Sequence, residues 1–386
     1  MIGTIIVSGA IAQKPWQGGH TWAFLQYVLG LRKLGWDVLL VDQLEPDMCL
    51  DSDGQPCGID ESVNLDYFLR VMEGFQLTGA WSLLSDKGRR SIGVSRAALL
   101  ERSREAVMLL NVMGYLRDAE ILEQVETRVF LDIDPGFGQM WHELGLHVVF
   151  TGHDHYVTIG ENIQGPECEI PTCGREWITT SQPVVLDYWP AVPGSPTGPM
   201  TTVASWRGTY GPVPFRGKTY GLRVHEFRKF LALPALSGEE FELALDIHSA
   251  DARDRAALAE HGWSLVDPRG AAGDPWLYQS YVQKSKGEFM VAKNMYVQTR
   301  SGWLSDRSIC YLASGRPVVA QDTGLECLYP VGQGLVTFRS IEEAAEAVSV
   351  VSGNYETHAR AARALAIDYF DSDKVLSRLL QKVGVA

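Results

Sequence analysis

Short runs rich in β-branched residues alternate with helical patterns along nearly the whole chain, and this alternation stops once and then restarts. Residues 4–8 (TIIVS) form an apolar run that ends at Gly9, and residues 38–41 (VLLV) form another that ends at Asp42. Between them Trp22, Leu25, Val28, Leu29 and Leu34 recur at helical spacing, and Gly35 stands where a helix-terminating glycine belongs. Strand, helix and strand in this order require a parallel pair joined by a right-handed crossover. Further runs follow at 106–110, 128–132 and 147–151. Residues 160–200 break the rhythm with Pro166, Pro171, Pro183, Pro190, Pro193, Pro196 and Pro199, and we read them as an irregular connection leading to a boundary near residue 195. Strand-like runs then resume at 201–205, 241–246, 263–266, 288–292, 317–320 and 334–338, and the C-terminal stretch is largely helical. The expectation is an α/β chain with two Rossmann-like, doubly wound domains, 1–195 and 196–365, whose ligands bind at the carboxyl ends of the strands and in the cleft between domains.

Composition narrows the partners. Of 386 residues, 46% are hydrophobic and 21% charged, which is globular composition. Lys and Arg number 34 against 47 Asp and Glu, a net charge of −13. Such a surface gains little from counterion release, so a nucleic-acid partner is not expected, and docking on anionic lipid is disfavoured. The opening MIGTIIVSGA lacks a basic region and carries too short an apolar run for a secretory signal, and no stretch is long enough for a membrane span. The expected location is therefore cytoplasmic. The six cysteines (49, 57, 168, 173, 310, 327) are scattered without a CxxC pair, as structural thiols of a reducing compartment would be.

The most informative stretch is Arg300-Ser-Gly-Trp-Leu-Ser-Asp-Arg-Ser-Ile-Cys-Tyr-Leu-Ala-Ser-Gly-Arg-Pro-Val-Val-Ala-Gln-Asp-Thr-Gly324. Ser305 is placed to cap a helix with Asp306 in its first turn, Ile309, Leu312 and Ala313 face inward, and Gly315 and Pro317 end it before a buried strand. The free N–H groups and positive dipole end of that helix suit an anion such as a diphosphate, with Arg300 and Arg307 as candidate compensating charges.

This segment resembles the donor-binding region of GT-B glycosyltransferases, in which a loop and helix start hold the diphosphate of a sugar nucleotide. Their small-x-Gly-x-Pro-Val-Val turn is matched by Ala313-Ser-Gly-Arg-Pro-Val-Val319, and the polar pair contacting the sugar by Gln321 and Asp322. Gly18-Gly19-His20 and Leu31-x-x-Leu-Gly-Trp-Asp-Val-x-Leu-Val41 resemble the family's front end. The resemblance implies an acceptor-binding first domain, a donor-binding second domain, and C-terminal helices, here 366–386, that cross back to the first. The chain departs from the Glu-x7-Glu pattern of many retaining members by carrying Cys310 at the second position, and it has Arg300 where a plant-type motif begins with His.

The donor candidates are Gly18 and Gly19, which would admit a phosphate or sugar close to the backbone, with Ser305, Asp306, Arg300, Arg307, Gln321, Asp322 and, by the resemblance, Arg207 and Lys218. Gly9 and the Gly18-Gly19 pair lack G-x-G-x-x-G spacing, which argues against a dinucleotide enzyme. His20, at the start of the first helix, is the candidate base, since a histidine near neutral pH suits proton removal from an acceptor hydroxyl. Asp134, before Pro135, reads as a helix cap, as a cleft residue or as both, and His153, after the run 147–151, as a cleft-lining acceptor contact or base or as a solvated loop; with His20 they are the candidate catalytic residues. Asp132, His155 and Glu161 are candidate acceptor contacts. His-x-His has no third ligand at the usual spacing, so neither a metal nor a cofactor is expected. Trp206, Tyr210 and Trp303 are candidates for stacking on a base or sugar.

Together these readings predict a metal-independent glycosyltransferase of hexosyltransferase type, moving a sugar from a nucleotide-diphosphate donor to a hydroxyl in the cleft. If His20 is the base the sugar is inverted; otherwise front-face retention stays open. A nucleotide-sugar epimerase of the same fold, or a degenerate nucleotide-sugar-binding protein, would carry the same marks. Donor base, sugar, acceptor and oligomeric state are not encoded in these motifs.

Overall fold

A computed structural model describes residues 2–385. Strands β1 (Thr4–Ser8), β2 (Asp37–Gln43), β3 (Trp81–Ser85), β4 (Arg90–Gly93), β5 (Ala106–Val112), β6 (Arg128–Asp132), β7 (His155–Thr158) and β8 (Trp177–Thr179) form one sheet in the order β4-β3-β2-β1-β5-β6-β7-β8. All its pairs are parallel except β3 with β4. The second sheet is parallel and contains β9 (Met200–Ser205), β12 (Phe241–Asp246), β13 (Trp263–Val266), β14 (Gly287–Met290), β15 (Val318–Gln321) and β16 (Leu335–Phe338), ordered β13-β12-β9-β14-β15-β16. Between β9 and β12 lies an antiparallel hairpin, β10 (Val213–Phe215) and β11 (Lys218–Tyr220). Each sheet has the order reversal of a doubly wound fold, so the predicted α/β architecture of two Rossmann-like lobes is what the chain adopts.

The first βαβ unit forms as the spacing predicts. Helix Gly18–Lys33 buries Trp22, Leu25, Val28 and Leu29, and the chain turns at Gly35 with φ +92°. The run 147–151 is a correction. It is not a strand: Val148 is 69% exposed, and the strand that extends the sheet is β7, a few residues later. Asp154 fixes that register by accepting hydrogen bonds from the backbone and side chain of Arg128, 2.9 and 3.0 Å. Strands β3, β4, β8 and the hairpin were not anticipated. Trp-Ser-Leu-Leu-Ser in β3 contains no β-branched residue, and its strand character comes from complete burial beside β2.

The C-terminal helix Ser372–Lys382 packs on helix Gly18–Lys33 of the first lobe. The approach is close enough that a Cβ on Gly30 would lie 2.5 Å from Leu376 Cδ1. Val184 of the outward connection and Phe370 and Ser372 of the returning chain exchange backbone hydrogen bonds, 2.7 and 2.9 Å, so the two interlobe crossings run side by side. No helix among the described residues is long and apolar enough to cross a membrane.

Candidate functional site

The carboxyl ends of both sheets open into one interlobe cavity of about 440 Å³. The first lobe contributes the β1 loop and helix start (residues 14–20), Met113 and Tyr115 after β5, and Ile133 and Asp134 after β6. The second contributes residues 203–205 and 208–210, Arg223, Ala244, Asp246, Arg269, Lys293, Asp306 and Arg307. Five cations line it (Lys14, Arg223, Arg269, Lys293, Arg307) against three carboxylates (Asp134, Asp246, Asp306), so a chain of net charge −13 presents a local positive excess here.

The β1 loop is held from below. Asp42, wholly buried at the end of β2, accepts from the N–H groups of Ile11 and Ala12, 2.6 and 3.3 Å, and Asn64 donates to the Ala12 carbonyl, 2.9 Å. Burial pushes the Asp42 carboxyl up to about 7 despite those donors. His20 lines the cavity with Nε2 bonded to the Ala10 carbonyl, 3.1 Å, which makes Nε2 the protonated nitrogen of the neutral ring and leaves Nδ1 as the acceptor. Burial, with Lys14 nearby, pushes it down to about 3, so His20 is neutral at pH 7 and a much weaker base than the sequence led us to expect.

Gly18 and Gly19 also line the cavity, but their missing side chains serve the seam between lobes. A Cβ on Gly18 would sit 2.1 Å from the Asp274 carbonyl oxygen, and one on Gly19 would sit 2.9 Å from Tyr278 Cε2. Trp22 Nε1 donates to the Pro275 carbonyl across the same seam, 2.9 Å.

Asp134 does not cap a helix. Helix Phe137–Glu143 begins after Gly136, whose N–H is met by the Gln139 side chain, 2.8 Å. Asp134 instead reaches across the cleft to Lys293 Nζ, 2.7 and 2.9 Å. Asp132 is buried beneath it and accepts from Gln139, Thr158 and the Asp134 N–H at 2.6, 2.9 and 3.1 Å. Burial pushes Asp132 up to about 6; it shapes the Asp134 loop and does not line the cavity.

On the donor side Ser305 caps helix Asp306–Ala313, accepting from the Arg307 N–H, 3.3 Å, and the helix start opens on the cavity through Asp306 and Arg307. Asp306 lies at that start, and burial raises its carboxyl above the ordinary range. Arg307 is not a free cation: Nε is committed to Glu288, which is fully buried on β14, and Nη1 donates to the Val203 carbonyl, 2.9 Å. Arg223 is held by the carbonyls of Val291 and Ser205, 3.1 and 3.0 Å, without a carboxylate partner among the described residues. Burial and the neighbouring Arg307 push its guanidinium down to about 10. Lys14 likewise makes no ion pair among the described residues.

Several sequence candidates are held elsewhere. Arg207 is bound to Asp251, Nε–Oδ2 2.9 Å, and Lys218 to Glu169, 2.6 Å. Arg300 pairs with Glu167 at 2.9 Å and approaches Asp322 and Glu326 at 3.6 Å. Gln321 accepts from the Ala292 N–H, 3.2 Å, and donates to Glu226, 2.6 Å. Asp322 accepts from the N–H groups of Gly324 and Leu325 and from Arg339, at 2.8, 3.1 and 2.9 Å. Glu161 is bonded to Tyr329, and burial raises its carboxyl. None of these lines the cavity. His153 and His155 stand at the entry of β7, not beyond a strand's carboxyl end. His153 packs on Phe130 and bonds the Phe150 carbonyl and Asn111, 3.2 and 3.0 Å. Among the described residues no group of three or more His, Cys, Asp or Glu side chains is placed to hold a metal. Of the aromatic candidates, Tyr210 lines the cavity, while Trp206 donates to Asp254 at 2.8 Å and Trp303 stacks on Tyr296 at 4.3 Å, both buried.

Of the five cations that line the cavity, Lys14, Arg223, Arg269 and Lys293 escaped the sequence reading. The signal for Lys293 was present, since it directly follows the run 288–292 at its carboxyl end, where ligands of such sheets bind.

Two doubly wound lobes facing one cleft, with terminal helices returning to the first, are the GT-B fold of glycosyltransferases. Solved structures of that fold superpose along essentially the whole chain. HepE of Anabaena, in complex with UDP and glucose, matches at 11% identity and a TM-score of 0.58, covering 100% of both chains. An α-glucosyltransferase in complex with UDP and a 13-mer DNA matches at 10% identity and 0.57, and sucrose-phosphate synthase of Thermosynechococcus elongatus at 12% and 0.54, each covering 99% of both chains. No protein-family model and no curated protein sequence matches the chain.

Proposed function

We propose that this protein is a glycosyltransferase that moves a sugar, a hexose in the simplest reading, from a nucleoside-diphosphate donor to a hydroxyl acceptor in the interlobe cleft. The observation that carries the reading is the positive excess in a cavity into which a capped helix start and both sheets' carboxyl ends open, within an acidic chain. Arg223, Lys14 and Lys293, with the positive dipole end of helix Asp306–Ala313, are the groups that would meet the diphosphate and stabilise it as it leaves. Charge met by protein groups in this way needs no metal ion, so we expect activity to survive EDTA. The fold's solved representatives in complex with UDP support the donor class.

We assign the base role to Asp134 ahead of His20. Asp134 is the carboxylate that the first lobe presents to the cavity, while His20 is held as a weakly basic neutral ring. In the first step a donor seats its diphosphate in the second lobe. The acceptor hydroxyl then enters from the first lobe, Asp134 takes its proton, and the oxygen attacks the anomeric carbon as the bond to the diphosphate breaks.

The test is a panel of UDP-, GDP-, TDP- and ADP-sugars screened by thermal shift, followed by mass spectrometry of the incubated donors. A donor that raises the melting temperature and slowly loses its sugar supports the transferase. An altered sugar without loss would favour an epimerase, and binding with no turnover would leave a binding protein.

A further inference from the structure

Lys293 is fixed from several sides. Its backbone neighbours are fixed: the Ala292 N–H bonds Gln321 Oε1 at 3.2 Å, and Asn294 donates to Glu226 at 2.6 Å and accepts from the Gly221 N–H at 2.7 Å. Its ammonium faces the rings of Phe137, Tyr210 and Tyr296 at 5.0, 5.4 and 5.3 Å. On its remaining side stand both oxygens of Asp134. Phe137 and Asp134 belong to the first lobe and Tyr296 and Lys293 to the second, so this charge is shared across the cleft. It is also exposed to the cavity that the helix start at Asp306 faces.

Resting on the transferase reading, we propose that Lys293 is a positioning residue that couples the two substrates: the diphosphate of the donor competes with Asp134 for its ammonium, and donor binding thereby releases the Asp134 carboxylate to act on the acceptor. The coupling is reciprocal, as linkage demands: removing the Asp134 carboxylate, which frees the Lys293 ammonium, tightens the diphosphate. The donor is then expected to bind first, because before it does the acceptor-side carboxylate is engaged.

The coupling can be read without knowing the acceptor. The affinities of UDP, GDP, TDP and ADP are measured by calorimetry on the full chain, as wild type, Asp134→Asn, Lys293→Met and the double variant, with melting curves to verify folding. The tightest diphosphate is expected to bind several-fold more tightly to Asp134→Asn and about tenfold more weakly to Lys293→Met, the loss of one charge-assisted contact. In the Lys293→Met background, Asp134→Asn is expected to have no effect. This non-additivity separates competition for Lys293 from simple removal of a nearby negative charge, which would tighten binding in both backgrounds. Lys293→Gln carries the same comparison if the methionine variant does not fold. A diphosphate that binds wild type but responds equally to Asp134→Asn in both backgrounds, or not at all, overturns the coupling alone. Failure of all four to bind wild type overturns the transferase reading and the coupling with it.

Discussion

Gly18→Ala tests whether the lobes meet as tightly as the structure shows. The added Cβ would lie 2.1 Å from the Asp274 carbonyl oxygen, 2.5 Å from its carbon and 2.9 Å from the Ala272 oxygen. All three are backbone atoms, two of Asp274, which caps helix Pro275–Lys284, and one of Ala272, which ends helix Pro268–Ala272, so no rotamer change relieves the overlap. Restoring ordinary carbon–oxygen contact requires the seam to open by about 1 Å, and overpacking of this kind costs about 1–3 kcal/mol. Against this, replacing glycine by alanine in a helical position returns about 0.4–1 kcal/mol through the unfolded chain and helix propensity. The expected net effect is a loss of about 1–2 kcal/mol, read by urea unfolding followed by tryptophan fluorescence, which suits a seam containing Trp22 and Trp276. Gly353→Ala supplies the control: it ends helix Ile341–Gly353 with nothing within 4 Å of its added Cβ, so only the stabilising part remains. Because the opened seam also shifts the cavity wall, Gly18→Ala is expected to weaken nucleoside-diphosphate binding. A Gly18→Ala protein as stable as Gly353→Ala, with wild-type affinity, would refute the seam.

The other consequences concern charge and titration. Arg223→Met is expected to weaken nucleoside-diphosphate binding about tenfold or more in calorimetry, whereas Arg207→Met, which removes a partner of Asp251 outside the cavity, should change it less than about threefold. Arg307→Met is expected to destabilise the fold by about 3–5 kcal/mol in chemical denaturation, because it strands the buried Glu288, and Glu288→Gln in the same chain should recover part of the loss. His20 is expected to stay neutral, with its proton on Nε2, in nitrogen NMR at pH 5, since its folded value is pushed down to about 3 from 6.5. Between those values the unfolded chain takes up a proton that the folded one refuses. Its contribution is thus intact above pH 6.5 and is lost as the pH falls toward 3, and His20→Gln should flatten that part of the stability curve.

What the sequence made legible is what depends on near neighbours. The βαβ rhythm, the turn at Gly35 and the Ser305 cap rest on spacings of a few residues, and all three stand in the structure. Which cations the fold leaves to the site was not legible, Lys293 at its strand end excepted, for the opposite reason. Arg207, Lys218 and Arg300 looked free in sequence, yet each meets a carboxylate that only the fold brings near: Asp251, Glu169 and Glu167. Arg307 sat at the right helix start, but its partner Glu288 lies on a neighbouring strand. A charged side chain is available to a ligand only when tertiary packing leaves it unspent, and local pattern holds no information about that. The histidine pair failed differently. The run 147–151 has strong strand character, but the Arg128–Asp154 contacts fix β7 later in the chain, so both histidines moved from the exit of a strand to its entry.

The connections between lobes determine how the cleft is able to work. The chain leaves the first lobe past Val184 and returns past Phe370, and the two passages are hydrogen-bonded to each other. A molecule crossed at one place by paired strands turns about that place more easily than it slides, so relative motion of the lobes is expected to be a rotation that opens the far side of the cleft. Asp134 with Lys293 bridges the lobes at the cavity, whereas Gly18, which meets Asp274, begins the helix that also carries Gln26, bonded to Val185 of the connection, and on which helix Ser372–Lys382 docks. On the transferase reading, the cation that would hold a diphosphate therefore also makes a contact between the lobes, so donor binding and lobe motion are expected to be coupled through Lys293.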